Sequence, residues 1–96
     1  MVQSITVTAD SKVSLKPLLE SAIQTEVKVL ALGLQRTRDR LAEFEQRFGM
    51  SSADFERRFN AHDLDESLDF IEWLGEIKTL RLLEDQQRAL QGAQIR

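Results

Sequence analysis

From Ile23 onward the apolar positions fall at Ile23, Val27, Leu30 and Leu34, then Thr37, Leu41, Phe44 and Phe48, alternately four and three residues apart. This seven-residue repeat, in which Thr37 is the polar lapse, is the pattern of a narrow helical seam laid along a neighbouring helix. Pro17, pre-organised for the first turn of a helix, precedes it, and Gly49, suited to a left-handed helix end, follows it. The pattern predicts a helix over 17–48, a rod of roughly 48 Å at 1.5 Å per residue. Gly33 inside the rod costs about 1 kcal/mol relative to alanine and marks either a bend or a close helix approach.

Next, Ser51 is placed to cap a second, short helix over 52–59, with Asp54 supporting the cap and Met50 and Phe55 forming a hydrophobic staple. A third helix is expected over 64–90, starting in the acidic segment Asp63-Leu64-Asp65-Glu66, where Asp63 caps and the carboxylates suit the positive helix end. Its apolar stripe runs through Trp73, Ile77, Leu80, Leu83 and Leu90, flanked by Phe70, Leu74 and Leu82, and is wider than a coiled-coil seam. At the N-terminus, Val2 to Thr8 is mostly β-branched and reads as a short strand within an arm over 1–12. No partner strand is evident in the chain, so this strand is expected to be either frayed or paired with another subunit, and Gly92 to Arg96 to be loose.

The elements make an all-α fold in a single domain. The first and third helices return antiparallel as a long hairpin, with the short helix and the phenylalanines Phe44, Phe48, Phe55, Phe59 and Phe70 closing the corner. At the opposite end, Leu18, Leu19, Ala22, Val29 and Leu32 lie off the seam, and Leu82 flanks the third helix. Two helices bury only one face each, so this surplus predicts an oligomer interface, most simply a homodimer forming a four-helix bundle with the N-terminal strands paired.

Composition narrows the chemistry. The chain has no cysteine and a single histidine, His62, which leaves no thiolate or histidine-based metal site, no nucleophile–base set and no expected cofactor. Asp63, Asp65, Ser67 and Asp69 imitate the start of a calcium loop, but Leu68 stands where that loop needs glycine and Leu74 where it needs glutamate. His62 is read as a polar corner residue. No stretch approaches the roughly 20 apolar residues of a membrane span, nor does the start resemble a signal peptide, so a cytoplasmic protein that avoids membranes is expected.

The net charge of -3 conceals a first half, residues 1–48, at +1 and a second half, residues 49–96, at -4. In the second half Asp63, Asp65, Glu66, Asp69, Glu72 and Glu76 stand with no Lys or Arg among them, and Phe70 and Trp73 interleave with the acids. Besides a solvated face, these residues make a candidate partner-binding surface for a basic protein, the aromatics serving as anchors. Arg36, Arg38, Arg40, Arg47, Arg57 and Arg58 are interspersed with acids and form no continuous cationic footprint, so nucleic-acid binding is not favoured.

The segment Leu41-Ala42-Glu43-Phe44-Glu45-Gln46-Arg47-Phe48-Gly49-Met50-Ser51, the pair Phe55 and Phe59, the acidic bend and Asp69-Phe70-Ile71-Glu72-Trp73 come in a suggestive order. Over about residues 13 to 90 this order resembles short prokaryotic antitoxin-like proteins of toxin–antitoxin gene pairs, some of which accompany TumE-type toxins. At the bend those proteins more often carry a glycine and consecutive aspartates, where this chain has Ala61-His62-Asp63-Leu64-Asp65. The resemblance implies a non-enzymatic protein-interaction module that binds and neutralises a cognate toxin. Many toxins act on RNA, and an acidic segment can occlude a cationic nucleic-acid cleft with carboxylates standing in for phosphates and Trp73 or Phe70 for a stacked base. The rival readings are a strand-plus-helix DNA-binding repressor and a structural helical adaptor.

Overall fold

A computed structural model of the chain describes residues 3–6 and 14–95. The elements are strand β1 (Gln3–Ile5), helix α1 (Leu15–Phe48), helix α2 (Ser52–Asn60), helix α3 (Leu68–Gln91) and strand β2 (Ala93–Ile95). α1 and α3 pack as a long antiparallel hairpin with α2 at its corner, and the molecule measures 61 × 21 × 18 Å.

α1 starts at Leu15, two residues before Pro17, because the first turn of a helix has no intrahelical use for the missing proline N–H. It ends at Gly49, whose φ of 67° and ψ of 29° are the left-handed conformation that only glycine adopts without a steric cost. Gly33 does not interrupt the helix. A β-carbon there would meet Leu83 of α3 at 3.5 Å, so of the two readings of this glycine the structure supports proximity to α3.

α2 is held at its start by three polar contacts. Ser51 Oγ accepts from the Asp54 N–H at 3.1 Å, the cap expected from the sequence, and Glu45 in the last turn of α1 accepts the Ser52 N–H at 2.6 Å. Ser52 Oγ in turn accepts from the Trp73 indole at 3.0 Å, which ties α2 to α3.

α3 begins four residues later than the acidic segment suggested. Asp63 does not cap it: its N–H donates to Arg58 O at 2.9 Å and the His62 N–H donates to Phe59 O at 3.1 Å, the paired bonds that close α2. His62 takes the left-handed position of this closure, with φ of 59°. The cap of α3 is Ser67, whose Oγ accepts from the Phe70 N–H at 3.1 Å. Between the two helices, Leu64 packs against the core.

The core sits at the corner. Leu41, Phe44, Phe55, Trp73 and Ile77 are buried in one cluster, surrounded by Phe48, Met50, Phe59, Phe70, Leu74 and Leu80. The Trp73 ring stacks on Phe55 with centroids 4.0 Å apart and planes within 1°, and lies 5.6 Å from Phe44 and 5.7 Å from Phe48. Leu30, Leu34 and Thr37 continue the buried seam along α1, whereas residues 14 to 29 contribute no buried side chain.

β1 pairs in parallel with β2 of the same chain, in the register Gln3↔Ala93, Ser4↔Gln94 and Ile5↔Ile95. The strand is therefore not waiting for another subunit, and Ala93–Ile95 is not loose. The return of α3 to the end where the chain began supplies the ladder partner, which a three-residue segment containing one β-branched residue did not announce. Apart from Gln3 to Thr6, the expected arm over 1–12 lies outside the described residues, as does Arg96.

Candidate interaction surfaces

The acids singled out from the sequence do not form one free face. Asp63, Asp65 and Glu66 are exposed in the connection before α3. Asp69 and Glu72 instead lie along the edge of α3 next to α1, where Arg47 reaches Asp69 at 3.2 Å and Arg40 reaches Glu72 at 3.5 Å. The same guanidiniums stand over aromatic rings, Arg40 at 5.0 Å from the Phe44 centroid and Arg47 at 5.1 Å from that of Phe48. These half-exposed pairs each contribute between about 0 and 1 kcal/mol, and their larger effect is to neutralise two of the acids. Glu76, half-buried, lines an open groove with Leu32, Arg36, Asp39 and Arg40.

Nor do the aromatics anchor a partner in this conformation. Trp73 is fully enclosed, and Phe70 packs edge-on to Phe48 at 5.1 Å inside the corner. Both belong to the α3 stripe that faces α1 and α2, so they are corrected from partner anchors to core residues. The exposed apolar residues beside the acids are Leu68 at 73% and Ile71 at 55% accessibility, which the sequence reading overlooked. Their signal was legible: Leu68, Ile71, Gly75 and Leu82 are spaced by three, four and seven, a second face of α3 that excludes Trp73 and Ile77. A β-carbon at Gly75 would meet nothing within 4 Å, so this outer face is bare at its middle.

Of the residues expected at an oligomer interface, Leu18, Ala22, Val29, Leu32 and Leu82 are exposed and Leu19 is half-buried. Leu82 belongs to the outer face of α3. Leu18, Ala22, Val29 and Leu32 form a row on α1 with Thr25, outside the buried seam. At the open end an irregular cleft of about 400 Å³ separates the helices, lined by Ile23, Val27, Leu90 and Ala93 with Glu20, Gln24 and Gln91 around it.

One further ion pair braces the corner. Arg81 of α3 donates through both terminal nitrogens to Glu56 of α2, one of these bonds measuring 2.7 Å. The bonds from Arg81 hold the Glu56 carboxyl below the usual carboxylate range, against the opposing effect of its partial burial. Among the described residues no group of three or more His, Cys, Asp or Glu converges as a metal site, and no helix is long and apolar enough to cross a membrane.

Compared with known proteins, the chain matches no family model, and no characterised protein or solved structure is significantly similar to it.

Proposed function

We propose that this chain is a non-enzymatic protein-interaction module, an antitoxin-like protein that binds and neutralises a cognate basic partner. The observation that carries the reading is the adjacency of exposed Asp63, Asp65 and Glu66 to exposed Leu68 and Ile71 at the start of α3. Carboxylates beside large apolar side chains suit a partner whose cationic cleft is rimmed by apolar surface: the charges steer the encounter and the apolar groups supply the desolvated contact. A toxin that acts on RNA has such a cleft, and the carboxylates occupy it in place of phosphates. The order of residues from Leu41 to Trp73, which resembles antitoxin-like proteins, supports the same assignment.

The test is co-expression and co-purification with the product of the adjacent reading frame. Asp65→Lys with Glu66→Lys is expected to weaken the complex at least about tenfold and to flatten its salt dependence, because long-range attraction between exposed charges is screened by salt. Ile71→Glu is expected to abolish the complex while leaving helicity intact. Unchanged affinity in both variants overturns the assignment of this surface.

A further inference from the structure

The two neighbouring arginines of α2 are held differently. Arg57 pairs with Asp54 at 3.4 Å on the exposed side of the helix. Arg58, half-buried in the last turn, forms no ion pair among the described residues, and its guanidinium Nη1 is directed instead at Met50 Sδ, 4.0 Å away. A thioether sulfur is a weak acceptor, so a charged donor partly withdrawn from water is left with a partner that returns little. Met50 lies in the turn between α1 and α2, half-buried and packed on the corner core. The chain has no cysteine, and Met1 and Met50 are its only sulfur-bearing residues.

We propose that Met50 is a site of reversible oxidation by a peroxide, with Arg58 as the receptor of the sulfoxide oxygen. One oxygen of hydrogen peroxide bonds to a lone pair of the thioether sulfur as the O–O bond breaks; the sulfur is oxidised to the sulfoxide and the peroxide is reduced to water. An oxygen added on the side facing Arg58 stands between Sδ and Nη1 and comes within hydrogen-bonding distance of the guanidinium. The weak N–H···S contact is thereby exchanged for a charge-assisted bond to a strong acceptor. Reduction by two thiols returns the thioether, with a disulfide and water as the other products.

Arg58 decides what oxidation does to the corner. Sulfoxidation turns a flexible apolar side chain into a polar one, and an unpaired sulfoxide against an aromatic core loosens its packing. With Arg58 in place the new dipole is paired as it forms. Met50 precedes α2 and Arg58 stands in its last turn, so the bond spans the helix. Arg58 O also accepts the Asp63 N–H at 2.9 Å, which places the fixed residue where the connection to α3 departs.

Treatment of the full chain with dilute hydrogen peroxide, followed by digestion and mass spectrometry, is expected to show Met50 gaining one oxygen. The melting midpoint of the oxidised chain is expected to stay within about 2 °C of the reduced one. In Arg58→Leu, which keeps aliphatic bulk without a donor, oxidation is expected to lower the midpoint by at least about 5 °C. Met50→Leu, which carries only the Met1 modification, is expected not to shift. The two sulfoxide epimers are reduced by different enzymes, so on the digested peptide one reductase is expected to remove most of the Met50 oxygen and the other little, whereas peptide from oxidised Arg58→Leu serves both about equally. A Met50 left unmodified by peroxide that oxidises Met1 overturns the proposal. So does an equal fall in midpoint with and without Arg58, or an even mixture of epimers from the unsubstituted chain.

Discussion

Trp73 shows how a single side chain can be placed correctly by periodicity and misread by chemistry. Its spacing with Ile77 put it on the packed stripe of α3, while its acidic neighbours and its residue type suggested a binding anchor; the structure gives it to the core, where Phe55, Phe44 and Phe48 surround it and Ser52 takes its N–H. Among the described residues, the hydroxyl is the only side-chain partner of the indole. Ser52→Ala should thus cost about 1–2 kcal/mol by leaving a largely buried donor unpaired, measurable as a lower urea midpoint at unchanged m-value. His62 is a second case. It sits at φ 59°, where glycine is free of the β-carbon penalty, so His62→Gly should stabilise the chain by about 0.5–1 kcal/mol despite the added freedom of the unfolded state. A drop in melting temperature would show that the imidazole has a contact that outweighs the strain. Glu56 yields a pH dependence. Its carboxyl is held below the ordinary range by Arg81, so the folded chain binds the proton less tightly than the unfolded chain. The stabilisation is fully present above the unfolded value of about 4.3 and is lost as pH falls through the lower folded value. Replacing Glu56 by Gln should lower the melting temperature at neutral pH and leave a shallower decline on acidification; an identical decline in both proteins would assign it to other carboxylates.

At the scale of elements, α1 was the most legible part because a seven-residue repeat of eight positions has few competing explanations. Both of its ends are marked by residue types with a backbone reason to be there. The start of α3 was less legible. The sequence reading put the cap at Asp63 with Glu66, whereas Ser67 caps the helix, and local propensity does not say that the Asp63 N–H is already engaged in closing α2. The short strands were least legible, since β2 follows directly on Gly92 and its pairing depends on where α3 delivers it. Gly33 connects element to packing. The helix passes through it with a negative φ, and a β-carbon would stand 3.5 Å from Leu83, an ordinary contact distance. Gly33→Ala should therefore recover most of the helix propensity difference, about 0.5–1 kcal/mol, as a raised melting temperature. A loss of stability would mean that Leu83 cannot yield even that little.

The whole molecule is two structures in series. At the corner, three helices enclose a core of stacked aromatic rings braced by the Glu56–Arg81 pair; toward the other end, two helices continue with no buried side chain on α1 between residues 14 and 29 and terminate in a two-stranded ladder. Hydrophobic stabilisation scales with apolar area removed from water, and hydrogen exchange through local opening reports how that stabilisation is distributed. The backbone amides of Leu34 to Phe48 and Trp73 to Leu80 should then exchange only on near-global unfolding, while those of Leu19 to Val29 exchange orders of magnitude faster through opening of the two-helix half. The corner core was visible in the sequence as the crowding of phenylalanines between residues 44 and 70, but the unequal stability of the two halves follows from the position of α2, which lies at one end alone. Measured by native-state exchange with residue resolution in dilute protein, a steep fall in protection along α1 from its C-terminal to its N-terminal half is the expected result. Uniform protection along the helix would show that the chain unfolds as one cooperative unit, and that the burial gradient does not set its local stability.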